Sequence, residues 1–174
     1  RALEGMRTRL RDDELLFINV DPHDFADPHF DLRESPDPRR VVIVITERTA
    51  IKDSPNSREH LKRFREVGYR FAVDDAGSGY AGLGSIANLE PDFIKLDMSL
   101  INCIDTNFIK QNLVETMVGF ANDQGAKVIA EGVERAEEYE AVKNLGVHLV
   151  QGFYLHRPAR LEAPPAPAKQ EVAP

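Results

Sequence analysis

The chain has 174 residues, 42% hydrophobic and 29% charged, which is the balance of a globular domain able to bury a core. Its net charge of -7 argues against broad electrostatic binding to nucleic acid or anionic membranes, although a local basic spot could still hold a phosphate. The single cysteine, Cys103, excludes an internal disulfide and favours a reducing, cytoplasmic compartment, and no apolar run reaches the roughly 20 residues that span a membrane.

The chain opens on a helical pattern. Leu3, Met6 and Leu10 recur at helical spacing among arginines, which predicts the end of a helix whose start lies elsewhere. Because the first residue is arginine, we expect a fragment or a domain that lacks its beginning.

Short apolar runs then predict six β-strands. Near-continuous apolar strands are typical of a parallel sheet that is covered on both faces. The predicted strands are Leu15–Val20, Val41–Ile45, Arg70–Asp74, Phe93–Leu96, Lys127–Ala130 and His148–Gln151.

Helical stripes, each closed by a glycine, separate the later strands and predict an α/β fold. A (β/α) barrel has eight strands and about 250 residues, so we expect a TIM-like barrel with six of eight strands present and the N-terminal strands missing. The alternative is an open doubly wound sheet, which no glycine-rich fingerprint supports. The stripes are Leu61, Phe64, Val67 before Gly68; Ile109, Leu113, Met117, Phe120, Ala121 before Gly125; and Ala136, Tyr139, Val142, Leu145 before Gly146.

Proline and alanine dominate the end of the chain. The stretch from Arg157 to Pro174 holds five of each, a composition that cannot build a packed helix or strand. We therefore expect a folded domain over 1–158 and a disordered tail over 159–174.

Polar residues at the ends of the predicted strands mark a candidate site, because function gathers at that edge of parallel α/β folds. Adjacent carboxylates repel each other unless a cation compensates, and oxygen ligands suit Mg²⁺, Mn²⁺ or Ca²⁺. A lysine among them can hold a phosphate or a water, which favours metal-assisted attack on a phosphoester. The set is Asn19, Asp74, Asp75, Lys95, Asp97, Glu131 and Gln151.

Each of these residues also has a structural interpretation. Asp74-Asp75 could begin a loop or cap a helix, and Glu131 with Glu134 could favour a helix N-terminus. Lys95 within an apolar strand is harder to explain in this way, because a buried lysine needs an acidic partner.

Five motifs in order resemble the EAL domain, the family of cyclic di-GMP phosphodiesterases, from about Leu15 to Pro158. The glutamate motif is identical to the family's IAEGVE, and the other four are similar to its DDFGTGYSSL, KID, QGY…RP and NVSP motifs. These segments are Ile129–Glu134, Asp74–Tyr80, Lys95–Asp97, Gln151–Pro158 and Asn19–Pro22.

The resemblance implies a barrel that binds Mg²⁺ or Mn²⁺ and hydrolyses cyclic di-GMP to pGpG. It also implies a homodimer, and GGDEF or sensor domains in a longer parent. By the same resemblance, Asn19, Asp74 and Asp75 are metal ligands, Lys95 positions the attacking water, Glu131 lies at the metal–water centre as a candidate general base, Gln151 lines the site, and Glu47 steadies the mobile loop after the acids.

Two departures from the family pattern change the expected function. The EAL glutamate, a metal ligand, lies on a strand before this chain begins, and Ala2-Leu3-Glu4 sits in a helical pattern too close to the next strand to replace it. Val44 stands where the family has another glutamate ligand, and valine cannot coordinate a cation.

We therefore expect a degenerate EAL domain in cyclic di-GMP signalling that binds or regulates without hydrolysis and holds Mg²⁺ or Mn²⁺ weakly. The alternative is an active phosphodiesterase once a preceding EAL strand completes it. An unrelated metal-dependent barrel, such as an aldolase, and a structural remnant are the weaker alternatives.

Overall fold

A computed structural model of the chain describes residues 11–20, 37–46, 55–77 and 83–159. Five predictions lie wholly or partly outside these residues: the helical segment at 1–10, the second half of the Asn19–Pro22 motif, the role of Glu47, the loop at 78–80, and the tail beyond residue 159. None of the helices in the described ranges is both long and apolar enough to cross a membrane.

Six strands form one parallel sheet in which each strand pairs with the next along the chain. This sequential order is the order of a barrel wall, whereas the order reverses in a doubly wound sheet. The predicted α/β fold is confirmed as six parallel strands of a half-barrel. The strands are β1 Leu16–Asn19, β2 Val41–Thr46, β3 Arg70–Ala76, β4 Phe93–Leu96, β5 Lys127–Ala130 and β6 Leu149–Val150.

Helices connect the strands from β2 onward, as parallel pairing requires. The longest of them ends as predicted at Gly125, which adopts a left-handed φ of 71° and donates its N–H to the carbonyls of Ala121 and Asn122. The helices are α1 Pro55–Val67, α2 Leu83–Leu89, α3 Met98–Ile101, α4 Phe108–Gln124 and α5 Ala136–Asn144, with 3₁₀ turns at Pro38–Arg40 and Ile104–Thr106.

The main core lies between the helices and the outer face of the sheet. Its strand residues come from β3 to β5, and α4 contributes a buried face of Val114, Met117, Val118 and Ala121. The corresponding residues of β2 pack instead with Tyr69 and Phe71 in a neighbouring cluster that is partly covered by α1. The predicted stripe of α4 is therefore partly wrong, because Ile109 is 66% exposed. Leu113 in the same stripe and Val67 at the end of α1 are exposed as well.

A third cluster, the smallest, lies on the opposite face, which is the inner face of the half-barrel. Its buried members are all strand residues: Val42, Val44, Ala72, Phe93 and Ile129. The ring of Phe17 meets the ring of Phe93 edge-on at 5.2 Å, which places β1 against this cluster. The candidate site is built on the same face.

Candidate functional site

The pleat of the sheet places the predicted site residues on the inner face. Side chains two positions apart in a strand point the same way, so Asp74, Lys95 and Glu131 follow the inner-face residues Ala72, Phe93 and Ile129 at the carboxyl ends of their strands.

A β-bulge lets two adjacent acids serve one site. The register of β3 against β4 shifts between Val73 and Ala76, so Asp74 and Asp75 together lie opposite Lys95. Asp75 takes a left-handed φ of 58°, which is uncommon for a residue with a side chain. Its N–H donates to Asp74 Oδ1 at 3.1 Å. The bulge thus overrides the alternation that would send the two carboxylates to opposite faces.

The acids form a compact cluster. One carboxylate oxygen from each of Asp74, Asp75 and Glu131 lies within 4.8 Å of the others. Oxygen donors at this spacing suit a hard divalent cation. Asp74 and Glu131 are partly shielded from solvent, with 17% and 19% of their side chains exposed, whereas Asp75 is exposed.

Lys95 joins two of the acids. Its Nζ lies 2.7 Å from Asp74 Oδ1 and 2.8 Å from Glu131 Oε1, with 12% of the lysine side chain exposed. Burial would lower the pKa of Lys95, but the hydrogen bonds and charges of Asp74 and Glu131 outweigh burial and raise it. The lysine is therefore a fixed ammonium at neutral pH, with the acidic partners that its position in a strand requires.

For Glu131, burial outweighs the effect of the oppositely charged partner. Burial raises the pKa of its carboxyl, and the neighbouring negative charge of Asp74 raises it further, while Lys95 pulls it down without cancelling the rise. The ionised form of Glu131 therefore costs more in the folded protein than in the unfolded chain. A carboxylate of raised pKa that faces a held ammonium has the character of a proton acceptor.

Two further predicted residues lie at the flanks of this centre. Asn19 ends β1, exposed and in register with Val44 on β2. Gln151 follows β6 at the other side of the sheet, and its N–H donates to the carbonyl of Ala130 at 2.8 Å. The structure thus brings four predicted residues together. Gln151 follows the strand next to that of Glu131, whereas β2 separates Asn19 from the strand of Asp74.

Asp97 has a structural use in this geometry. Its Oδ1 accepts the N–H of Ser99 at 2.8 Å and so caps the N-terminus of α3.

Val44 lies on the inner face, 3% exposed, with Asn19 and Ala72 as its register partners on either side. Its side chain contributes methyl groups to the inner cluster and no oxygen. The three carboxylates fit a hard cation by donor chemistry, but Val44 adds no ligand from β2. The roles of the individual residues stay predictions.

Sequence reasoning missed one buried acid, Glu138 in the first turn of α5, which is 2% exposed. Its carboxylate accepts the backbone N–H of Arg135 at 3.2 Å, an interaction of the capping-box type. The usual signal is a Ser, Thr, Asp or Asn at the N-cap three residues earlier, but that position is Arg135.

Comparison with known proteins agrees with this architecture. The family model described as "EAL domain" matches residues 1–158. The cyclic di-GMP phosphodiesterase PdeL of Escherichia coli K12 is 31% identical over 134 residues, which is 77% of this chain and 35% of PdeL.

Two solved structures show the same fold at appreciable identity. The PaMucR phosphodiesterase in complex with c-di-GMP superposes with a TM-score of 0.73 at 28% identity, covering 83% of this chain and 61% of that one. Klebsiella pneumoniae BlrP1, in a manganese/cy-diGMP complex at pH 9.0, superposes with a TM-score of 0.76 at 34% identity. The match covers 82% of this chain and 38% of the BlrP1 chain.

The chain spans only part of these proteins: about a third of the length of PdeL, and 61% and 38% of the two solved chains. The parallel six-stranded half-barrel, the acids at its strand ends and the match over residues 1–158 together lead to one conclusion. The chain belongs to the EAL domain family.

Proposed function

We propose that this chain is a cyclic di-GMP-binding domain of a signalling protein, and that as it stands it holds the dinucleotide without hydrolysing it. The observation that carries the proposal is a site only partly equipped for catalysis. Lys95 bridges Asp74 and Glu131 at hydrogen-bond distance, while the buried Val44 on the same face offers no ligand.

The charges of the site explain why a cation assists binding. Cyclic di-GMP carries two negatively charged phosphodiesters. The site itself contains three carboxylates and one ammonium group, that of Lys95, so its negative groups outnumber its positive one. A phosphate that approaches this cluster is repelled unless further positive charge is present. Asp74, Asp75 and Glu131 are the residues that would hold such a cation, and Asn19 on β1 would be a further oxygen ligand.

A bound divalent cation would supply electrophilic polarisation of the phosphodiester and a more acidic water. The chain's own residues would do the rest. Lys95 would fix the position of a phosphate oxygen or of water, and Glu131, with its raised pKa, would accept a proton. Gln151 would line the same edge of the sheet.

Hydrolysis is disfavoured because the ligand set is short of carboxylates. Hard cations need a full shell of oxygens, and even indirect changes around a metal reduce affinity or activity by about 10- to 100-fold. The methyl groups of Val44 replace one direct ligand, so at least as large a loss is expected.

A second candidate function is an active phosphodiesterase, formed when a preceding EAL strand completes the domain. The compact cluster of Asp74, Asp75 and Glu131 around Lys95 favours it, because these oxygens already lie within 4.8 Å of one another. BlrP1, to which the chain is similar, was solved with manganese and cy-diGMP.

The deciding experiment is a calorimetric titration in which cyclic di-GMP is added to the full chain. It is run three times, in the presence of Mn²⁺, of Mg²⁺ and of a chelator. Chromatography of the same mixtures reports pGpG. Binding without pGpG supports the first function. Metal-dependent turnover that Asp74→Ala abolishes supports hydrolysis and overturns the first function. No binding under any condition also overturns the first function, and the same assay on a longer chain that includes the preceding strand then decides the second.

A further inference from the structure

Glu138 is the one charged side chain that is buried among the residues the structure describes, and nothing in the candidate site uses it. A carboxylate away from water is costly unless donors surround its oxygens. Its position in the first turn of α5, beyond the loop that follows Glu131, raises the question of what it holds.

Its two oxygens accept backbone hydrogen bonds from two separate segments. Oε1 accepts the N–H of Cys103 at 2.9 Å, and Oε2 accepts the N–H of Glu134 at 3.0 Å and of Arg135 at 3.2 Å. The guanidinium of Arg135 adds bonds to Oε1 and reaches Asp105. Although burial alone would raise the pKa of Glu138, these donated hydrogen bonds lower it, so the carboxylate stays ionised at neutral pH.

The two segments are the continuations of the strands that carry the central ion pair. Cys103 follows Lys95 by way of α3, and Glu134 lies three residues beyond Glu131. Glu138 therefore ties the backbone after Lys95 to the backbone after Glu131, whose side chains meet at 2.8 Å.

A close packing contact reinforces the same link. Gly132 adopts a φ of 70°, and a side-chain carbon added there would lie 2.6 Å from the Cβ of Met98 in α3. The loop after Glu131 thus lies directly against the helix that follows Lys95, and the Glu138 carboxylate closes this junction at its far end.

We propose that Glu138 is a positioning residue of the site: it holds the loop after Glu131 against the segment after Lys95, so that the two side chains keep their bond while ligand binds. The binding part of this inference rests on the proposed function. The positioning part rests on the geometry alone.

The test compares the wild-type full chain with Glu138→Gln. In this variant an NH₂ group, which cannot accept a hydrogen bond, replaces one carboxylate oxygen. Nitrogen-15 NMR follows the exchange of the Lys95 ammonium protons with water. We expect the hydrogen bonds to Asp74 and Glu131 to slow this exchange in the wild-type chain. We expect exchange about tenfold faster in the variant and cyclic di-GMP affinity about tenfold weaker, since bonds to a charged acceptor are lost.

The matched control is Val142→Ala, one helical turn along α5 and fully buried, which destabilises the protein through a cavity but leaves the hydrogen bonds of the Glu138 carboxylate in place. It should leave Lys95 exchange and cyclic di-GMP affinity at wild-type values. If Glu138→Gln does not fold, Glu138→Asp, which keeps the charge but shortens the reach, is measured with the same expectation.

Unchanged Lys95 exchange in a folded Glu138 variant would overturn the positioning role, as would equal acceleration in Val142→Ala. If the wild-type chain does not bind cyclic di-GMP, the proposed function fails separately, and the ammonium measurement still decides the role of Glu138.

Discussion

Val44 presents methyl groups to the inner face, at a position where the sequence resemblance predicts a carboxylate ligand, so introducing that carboxylate is the sharpest test at the scale of one residue. In Val44→Glu without metal, we expect a loss of about 1–3 kcal/mol in the free energy of unfolding, because a charge is buried near other acids. When the Mn²⁺ concentration is a hundred times the Kd of the variant for Mn²⁺, the free energy of unfolding of the variant should rise by about 2.7 kcal/mol. Thermal unfolding with and without Mn²⁺ measures both effects.

The control for this change is Val42→Glu. Val42 lies on the same strand and the same inner face, two residues further from the acids. It should lose stability and gain no response to Mn²⁺. An equal Mn²⁺ shift in wild type and Val44→Glu would show that Val44 does not limit the metal site.

Glu131 gives a pH-dependent prediction at the same scale. Its pKa is raised in the folded protein, chiefly by burial, so the native state holds more protons than the unfolded chain between the ordinary glutamate value and the folded one. Stability due to this group therefore falls as pH rises through that window and stays lower above it. Glu131→Gln removes the penalty and should be about 1 kcal/mol more stable at neutral pH, or about 3 °C in Tm.

That gain should vanish below about pH 4, where glutamate is protonated in both states. Glu134→Gln, an exposed position on the same loop, is the control and should show no such pH-dependent gain. A Glu131→Gln variant less stable than wild type at neutral pH would mean that the bond to Lys95 outweighs the cost of burial.

Between elements, the turn after β6 packs against the loop after β5 at Gly152. A side-chain carbon there would collide with the backbone oxygen and nitrogen of Val133, which cannot move without disturbing the buried loop. We expect Gly152→Ala to cost about 3 kcal/mol in chemical denaturation, the upper range for overpacking. Gly119→Ala in α4, where nothing lies within 4 Å, should instead stabilise by about 0.5–1 kcal/mol. Similar effects of the two changes would contradict this packing.

The elements show what the sequence alone can and cannot predict. The strands were predictable because fully buried parallel strands are continuous apolar runs, as in Val41–Ile45. The exposure of Ile109 could not be predicted in the same way. Periodicity shows that a helix has an apolar stripe, but it does not show which part of the stripe is buried against another element. The bulge at Asp74-Asp75 depends on pairing with β4, and the burial of Glu138 depends on amides brought in from Cys103.

At the scale of the whole molecule, the described part of the half-barrel has two edge strands. In the described part of the chain, β1 pairs with β2 alone and β6 with β5 alone, and the inner-face residues Phe17 and Leu149 on these strands are 36% and 41% exposed. Exposed apolar edge strands favour pairing with another chain. We therefore expect this chain to associate in a concentration-dependent way in sedimentation velocity experiments.

Phe17→Lys places a charge on the β1 edge and should weaken the apparent association about tenfold, since burying a phenylalanine side chain contributes roughly 1.5–3 kcal/mol. Ile109→Lys removes an equally apolar but helical surface residue of α4, so association through strand edges should survive it. Loss of association in Ile109→Lys alone would place the contact on α4. A wild-type chain that sediments as a monomer at every concentration would contradict association through the strand edges.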